Sequence, residues 1–393
     1  MKRLIPILRV LLCALVFVLV LELCARVDDV LTYNAPFWGP YNNEILLRSD
    51  KIGRWGKPGA RYEKWQLNSL GYRGPELKPG TKRIVCFGAS ETFGLYEAPG
   101  EEYPRQLEHD LNQLAGKPEF QVVNAAFPGE TLPTAILRVP EVVSQIHPVY
   151  ALLYVPPANY IDLAKRERPR SSQSASLTEG ILRMRIAERV SNLLKDALPK
   201  VVQTELRELE IRRDTAHAAV MQTLPQRNVE QYRQDLISMI DALRDRGVEP
   251  ILVTHATVFG SSVTAEDQDL LTEWRKFYPT LEEAGFLDME RRVNQVTRET
   301  ATCEGLTLID IANEMPHGSK YFADMVHFTT DGAKVMAADL TAGLTPVLFS
   351  RAQRTPNATA KRLSGATQGL CGSGVATSEH MQIEEGEMHP RSH

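Results

Sequence analysis

The sequence has little of what marks several whole classes of protein. It contains 5 cysteines in 393 residues. Cys13 and Cys24 lie in an apolar N-terminal stretch, and Cys86, Cys303 and Cys371 are far apart. No Cys-x-x-Cys spacing suggests a zinc or redox site, and no dense framework suggests a fold stapled by disulfides. A Cys303–Cys371 bridge is open to a chain in an oxidising compartment, whereas Cys86, inside an apolar strand pattern, reads as a small buried hydrophobe. Walker A, His-Glu-x-x-His and Gly-x-Gly-x-x-Gly patterns are absent, which argues against nucleotide hydrolysis, zinc proteolysis and dinucleotide binding. There is no internal repeat, and the 25 glycines and 24 prolines are too few for a collagen-like or wholly disordered chain. The formal net charge of −4 gives no reason to expect a nucleic-acid partner.

What is there suits a globular α/β protein with a sizeable core: 43% hydrophobic and 24% charged residues. Met1-Lys2-Arg3 precedes an apolar stretch from Leu4 to Ala25 that only Arg9 and Glu22 interrupt. At about 1.5 Å per helical residue, that length spans a bilayer core of roughly 30 Å. The unbroken part, Val10 to Leu21, is short enough for a signal peptide. However, Leu23-Cys24-Ala25-Arg26 makes a poor cleavage site, and Leu21-Glu22-Leu23-Cys24 lacks the small residue of a lipoprotein signal. Lys2, Arg3 and Arg9 precede the stretch and Asp28 and Asp29 follow it, so the positive-inside rule leaves the N-terminus in the cytoplasm. Residues 1–26 therefore read as an uncleaved signal anchor, a single transmembrane helix in the cell inner membrane. The remainder is then on the periplasmic, extracytoplasmic side.

Residues 27–80, with Trp38-Gly39-Pro40 and Arg54-Trp55-Gly56, read as a juxtamembrane extension with some β structure. Residues 81–350 then show a βα rhythm. Apolar runs at Arg83 to Phe87, Phe120 to Asn124, Tyr150 to Val155, Pro250 to Thr254 and Leu306 to Ile311 alternate with helical periodicity at Tyr103 to Leu114, Val229 to Arg246, Leu287 to Ala301 and from Thr330 on. That alternation predicts a parallel sheet covered on both faces. Residues of about 163–225 interrupt it with Lys165-Arg166-Glu167-Arg168-Pro169-Arg170 and charged helical patterns such as Glu205 to Arg213, and read as an inserted helical cap. A smaller insertion is expected between Phe259 and Leu281. Residues 351–393, rich in Ser, Thr, Gly and Gln and then acidic, have the composition of a disordered tail.

Two segments carry chemistry. In Ile84-Val85-Cys86-Phe87-Gly88-Ala89-Ser90-Glu91-Thr92-Phe93-Gly94 a strand runs into Ser90 and then toward a helix. This places a hydroxyl at the carboxyl end of a strand, beside a helix N-terminus that favours developing negative charge. In Tyr321-Phe322-Ala323-Asp324-Met325-Val326-His327 an Asp three residues before a His can hold one imidazole nitrogen while the other takes a serine proton. Between them, Asn124-Ala125-Ala126-Phe127-Pro128-Gly129 and Tyr154-Val155-Pro156-Pro157-Ala158-Asn159 each follow a strand. The Gly129 N–H and the Asn159 amide are candidate oxyanion donors. The competing readings are a helix-capping serine and aspartate, a turn glycine and a turn asparagine. His255, after another strand, is a second candidate base, but no Asp stands at suitable spacing, so it reads as structural or substrate-facing. His317, His327 and Asp324 lack a fourth ligand for a metal.

Taken together and in this order, Ser90, Gly129, Asn159 and His327 resemble the four signature blocks of the SGNH (GDSL-like) serine hydrolases. The resemblance covers roughly residues 68 to 345, and Asn68-Ser69-Leu70-Gly71-Tyr72-Arg73-Gly74 resembles a stretch that often precedes the first block in membrane-linked members. It implies a flavodoxin-like, three-layer α/β/α fold, a catalytic Ser90, Asp324 and His327, and an oxyanion hole of Ser90, Gly129 and Asn159. No metal or organic cofactor is implied. Two positions depart from the pattern: Ala89 replaces the usual Asp before the serine, and Pro157-Ala158-Asn159-Tyr160 replaces Gly-x-Asn-Asp. The implied activity is serine ester hydrolysis, or transfer, of an O-acyl group. With the anchor, the expected substrate is an O-acetylated envelope or exported glycan, or else a lipid ester. The alternative is a non-catalytic envelope protein of the same fold that binds glycan or scaffolds polysaccharide synthesis.

Overall fold

The computed structural model describes residues 4–38, 46–163, 184–197, 220–260 and 263–349, with single helical positions at 205, 209 and 213. The tail 351–393, Cys371, the basic run 165–170 and most of Glu205 to Arg213 lie outside the described residues. The described chain begins with α1 (Leu4–Tyr33) and two short antiparallel hairpins, β1 (Leu47–Ser49) with β2 (Arg54–Gly56) and β3 (Arg61–Tyr62) with β4 (Trp65–Gln66). Five further strands follow: β5 (Lys82–Phe87), β6 (Phe120–Asn124), β7 (Tyr150–Tyr154), β8 (Glu249–Val253) and β9 (Thr307–Ile309).

These five strands form one sheet in the order β6-β5-β7-β8-β9, and every pairing is parallel. Strands buried on both faces need no polar alternation, and the sequence obeys: Ile84, Val85, Cys86 and Phe87 are all buried, as are all five residues of β6. The Cys86 thiol is free and fully enclosed, and burial pushes its pKa up. Helices α2 (Ser90–Phe93), α3 (Tyr103–Ala115), α4 (Leu132–Ile146), α5 (Arg185–Ala197), α6 (Gln226–Arg244), α7 (Ala265–Phe277), α8 (Glu283–Glu304), α9 (Ile311–Glu314) and α10 (Thr330–Phe349), with a one-turn 3-10 helix at Pro157–Tyr160 after β7, complete the described elements. Helix α3 packs against α10, while α6 packs against both α4 and α8. The chain order of strands doubles back at β5, whose neighbours β6 and β7 lead away in opposite directions. Such a switch point opens a crevice at the carboxyl ends of the strands.

The α/β class and the five strands match the sequence reading closely; the additions are informative. Helix α4 has no counterpart in that reading because Pro133 and Pro140 break its periodicity. Pro133 nonetheless sits in the first turn, where a missing N–H costs nothing, behind a Thr131–Thr134 capping box. The smaller insertion expected between Phe259 and Leu281 contains α7, started by a Thr264–Asp267 capping box. Helix α1 runs past residue 26 to Tyr33 and is long and apolar enough to cross a membrane. The described part of the 163–225 insertion, α5, packs against the C-terminal end of α1. Arg185 Nη1 lies 2.8 Å from Asp29, Arg189 pairs with both Asp28 and Asp29, and the Ile186 N–H donates to Glu22 at 3.0 Å.

The extension upstream of β5 is part of the main core. Trp55 and Tyr72 are fully buried, and the Trp55 ring lies 4.6 Å from that of Phe127, which follows β6. Arg138 of α4 lies over the Trp55 ring at 4.9 Å and grips Asp50 with both terminal nitrogens, at 2.5 and 2.7 Å. Gly56 makes this approach possible: a Cβ there would sit 1.9 Å from the Gly71 carbonyl oxygen and 2.5 Å from the Phe127 ring. Neither a backbone carbonyl nor a packed aromatic can retreat that far. Gly56→Ala is therefore expected to destabilise the fold by ~3 kcal/mol, read as a lower denaturation midpoint; an unchanged midpoint would refute this packing.

Candidate active site

The first-block residues are held by contacts from three separate parts of the chain. Gly88 ends the strand, and a Cβ at that position would meet the Thr92 hydroxyl at 2.0 Å, so only glycine lets the one-turn helix α2 fold back this tightly. A helix this short has almost no internal hydrogen bonding, and its carbonyls must be satisfied from outside. The Asn124 amide at the end of β6 donates to the Thr92 carbonyl at 2.8 Å. The Arg73 guanidinium donates to the carbonyls of Phe93 and Gly94, and the Trp65 indole donates to that of Gly94 at 3.2 Å. Arg73 is itself buried and pairs with Glu102 at 3.2 Å. The stretch Asn68–Gly74 upstream of the strands thus fixes the far end of the helix that begins with Ser90.

Ser90, Gly129 and Asn159 lie after β5, β6 and β7, and all three are half-buried, at the carboxyl end of the sheet. Among the described residues, neither the Ser90 nor the Gly129 N–H donates to another backbone carbonyl. Gly129 has φ of 76°, a left-handed conformation that suits glycine. The Asn159 amide donates to the carbonyl of Glu130 at 3.0 Å, which ties the third block to the second. Glu130 is almost wholly enclosed. Burial raises its pKa to about 7 against the hydrogen bond from Thr134.

Asp324 and His327 occupy the loop before α10. The His327 Nδ1 lies 2.7 Å from Asp324 Oδ2 and 2.9 Å from Oδ1, so Nδ1–H donates to the carboxylate and Nε2 is left as the basic atom. The Asp324 carboxylate also accepts the backbone N–H groups of Val326 and His327, at 3.0 and 2.9 Å. Burial would push the Asp324 carboxyl up. The His327 hydrogen bond and charge and the two N–H groups outweigh it and hold the carboxyl below its usual range. For His327, burial lowers the imidazole pKa, but Asp324, Glu91 and Glu97 outweigh it and the net shift is upward. The Nε2 atom is buried and has no hydrogen-bond partner among the described residues. The Tyr96 ring stands edge-on to the imidazole at 5.5 Å, and the Ala98 N–H donates to the Thr330 hydroxyl, so the loop after α2 and the start of α10 are joined.

The structure therefore brings the Ser90 turn and the Asp324–His327 loop together, and Asn159 beside the Gly129 turn. It does not hydrogen-bond Ser90 to His327. The Ser90 hydroxyl donates instead to Glu91 Oε2 at 3.2 Å. His255 has a carboxylate partner that no local spacing reveals: Glu290 of α8, whose Oε2 lies 2.9 Å from Nδ1. The trace of this pair in the sequence is a charged residue on the buried side of the α8 pattern. His317 sits apart, its Nδ1 facing the Thr257 carbonyl at 3.2 Å. Among the described residues no group of three or more His, Cys, Asp or Glu could hold a metal ion.

No protein-family model matches the chain, and no curated protein matches it. Solved structures similar to it are consistently acylhydrolases and esterases. They include a lipase/acylhydrolase from Enterococcus faecalis (15% identity over 70% of this chain and 100% of that one, TM-score 0.41). A lipolytic protein of the G-D-S-L family from Desulfitobacterium hafniense shares 12% identity over 67% of this chain and 100% of that one, at TM-score 0.37. An acetyl-xylooligosaccharide esterase from a Geobacillus shares 14% identity over 70% and 100%, at TM-score 0.39. The strand order β6-β5-β7-β8-β9, flanked by helices, makes this an α/β protein with a flavodoxin-like parallel sheet.

Proposed function

We propose that the chain is a serine ester hydrolase in which Ser90 is the nucleophile, His327 the base and Asp324 the residue that orients it. The observation that carries this reading is the His327 imidazole: Nδ1 is held by Asp324, Nε2 is unpartnered among the described residues, and the ring lies against Tyr96 in the loop that follows the Ser90 helix. As substrate enters, the Ser90 hydroxyl rotates toward Nε2 and attacks the acyl carbonyl carbon while its proton passes to Nε2. The N–H groups of Ser90 and Gly129 and the amide of Asn159 receive the oxyanion, each such donor contributing about 3 kcal/mol to the transition state. Collapse expels the alcohol, which takes the proton from His327. A water molecule, deprotonated by the same nitrogen, then releases the acyl group as its acid. A sugar hydroxyl in place of that water would make the reaction a transfer.

The substrate class follows from place. With α1 as a membrane anchor and the sheet domain on the periplasmic face, the accessible esters are O-acetyl groups on envelope or exported glycans, and lipid esters after them. A second reading has its own support. Ala89, the Pro157–Tyr160 segment and a serine resting on Glu91 suit a non-catalytic protein of this fold that binds glycan or scaffolds its synthesis.

Labelling of the detergent-solubilised full chain with a fluorophosphonate separates the two. Labelling that is abolished by Ser90→Ala supports the enzyme, and a folded wild type that does not label supports the binding protein. Asp324→Asn removes the carboxylate that fixes the Nδ1–H tautomer and is expected to slow labelling by roughly 10³–10⁴-fold; a variant within tenfold of wild type would remove Asp324 from the mechanism. Because His327 must be neutral to act and its pKa is raised, labelling should increase as pH rises through a value above that of a free imidazole. An acid limb at or below the free value would contradict this pairing. The anchor is tested by extracting membranes with alkaline carbonate, which should leave the chain in the pellet and release a variant lacking residues 1–26.

A further inference from the structure

Behind the Ser90 turn lies a buried group of ionisable side chains that the mechanism above does not use. Glu91, the second residue of α2, turns inward and is 5% exposed; His255 and Glu290 are 3% and 6% exposed. They form a line. The Ser90 hydroxyl donates to Glu91 Oε2 at 3.2 Å, Glu91 Oε1 lies 3.7 Å from His255 Nε2, and His255 Nδ1 lies 2.9 Å from Glu290 Oε2. Each element is fixed independently. The His255 ring stacks on Tyr154 at 5.1 Å, and the Asn294 side chain binds both its backbone N–H, at 2.7 Å, and its carbonyl, at 2.8 Å. Asn294 and Glu290 are one turn apart on α8, so a single helix sets both the position of the imidazole and its partner.

Burying three ionisable groups costs far more than burying apolar side chains of the same size, and such groups persist where they are paired and their position matters. Here the charge balance is specific. Burial lowers the His255 pKa, yet charge and hydrogen bonding from Glu290, with a further contribution from Glu91, raise it to about 10, while burial also raises that of Glu290. Burial pushes the Glu91 carboxyl up, and the His255 and His327 interactions reverse this and hold it below its usual range. Glu91 is thus an anion that touches the reacting hydroxyl on one side and raises the pKa of His327 on the other. The charged groups facing His327 are Asp324, Glu91 and Glu97; those facing His255 are Glu290 and Glu91.

We propose that Glu290, His255 and Glu91 form a second relay behind the serine. In it His255, oriented by Glu290, holds Glu91 as a carboxylate that sets the Ser90 hydroxyl in the resting site and supports the His327 imidazolium during attack. Glu91 is the member in contact with the reacting atom; His255 and Glu290 are positioning residues acting through it. The chemical balance of the reaction is unaltered: the serine proton still passes to His327, and Glu91 gives up only its hydrogen bond. The inference rests on Ser90 being the nucleophile.

Two measurements test it on the full chain in detergent. The first is the pH dependence of the fluorophosphonate labelling rate for wild type, Glu91→Gln and Glu290→Gln, each checked for a native melting transition. Loss of the Glu91 charge that supports the His327 imidazolium is expected to slow labelling of Glu91→Gln by about tenfold and to move the acid limb to lower pH. Glu290→Gln should move the limb the same way by less. A folded Glu91→Gln that labels at the wild-type rate with an unmoved limb overturns the relay but leaves Ser90 as nucleophile; a wild type that never labels overturns the nucleophile reading instead. The second measurement needs no reaction, and its reading comes from the wild type, with His255→Gln serving only to assign the signal. Imidazole nitrogen shifts of ¹⁵N-histidine-labelled wild type should show one buried histidine cationic through neutral pH, with that signal absent from His255→Gln. A neutral His255 at pH 7 overturns the relay whatever the labelling shows.

Discussion

The site depends on the anchoring of a helix that cannot stabilise itself. Helix α2 is a single turn, and its C-terminal carbonyls are satisfied by Asn124, Arg73 and Trp65 rather than by its own backbone. Two of these three donors come from upstream of the first sheet strand. Arg73 can do this inside the core because Glu102 neutralises it and the Phe93 ring lies 5.0 Å from the guanidinium carbon. The orientation of the Ser90 turn is thus set jointly by the end of β6 and by the extension.

The same arrangement explains the electrostatic character of this end of the sheet. Three carboxylates raise the His327 pKa: Asp324 in direct contact, and Glu91 from the serine turn and Glu97 from the loop that follows through their charge. Burial raises the Glu97 pKa to about 7 in spite of Arg73, so its charge varies over the neutral range. The guanidinium that fixes the helix end therefore also reaches a residue that raises the His327 pKa. Anchoring and electrostatics share one side chain, which couples the shape of the turn to the basicity of the imidazole.

The sheet was legible because each parallel strand is an apolar run bounded by turn residues, and Phe120–Asn124 coincides with β6 at both ends. Asp324 and His327 were legible because three residues of sequence place them within one loop. Helix α4 was obscured by Pro133 and Pro140, which suit a first turn and a tolerated interior break but look like stops in a one-dimensional pattern. Pairing of His255 with Glu290 was invisible for another reason: the partners are 35 residues apart and meet only when α8 packs behind β8. The extension read as a separate segment because its aromatics show no periodicity, and their burial comes from residues that follow β6 and from α4.

The intimate crossing of Gly56 with Gly71, and the burial of Trp55 against Phe127 and Arg138, have a bearing on where the folding unit begins. A chain shortened to the first strand of the sheet would leave an empty slot beside Phe127, an Arg138 without its Asp50 partner, and bare carbonyls at the end of the serine turn. Each defect lies in the half of the domain that would remain. The folding unit of the sheet domain accordingly includes the segment from Leu46 onward, and the stretch between α1 and β5 is a wall of that domain's core.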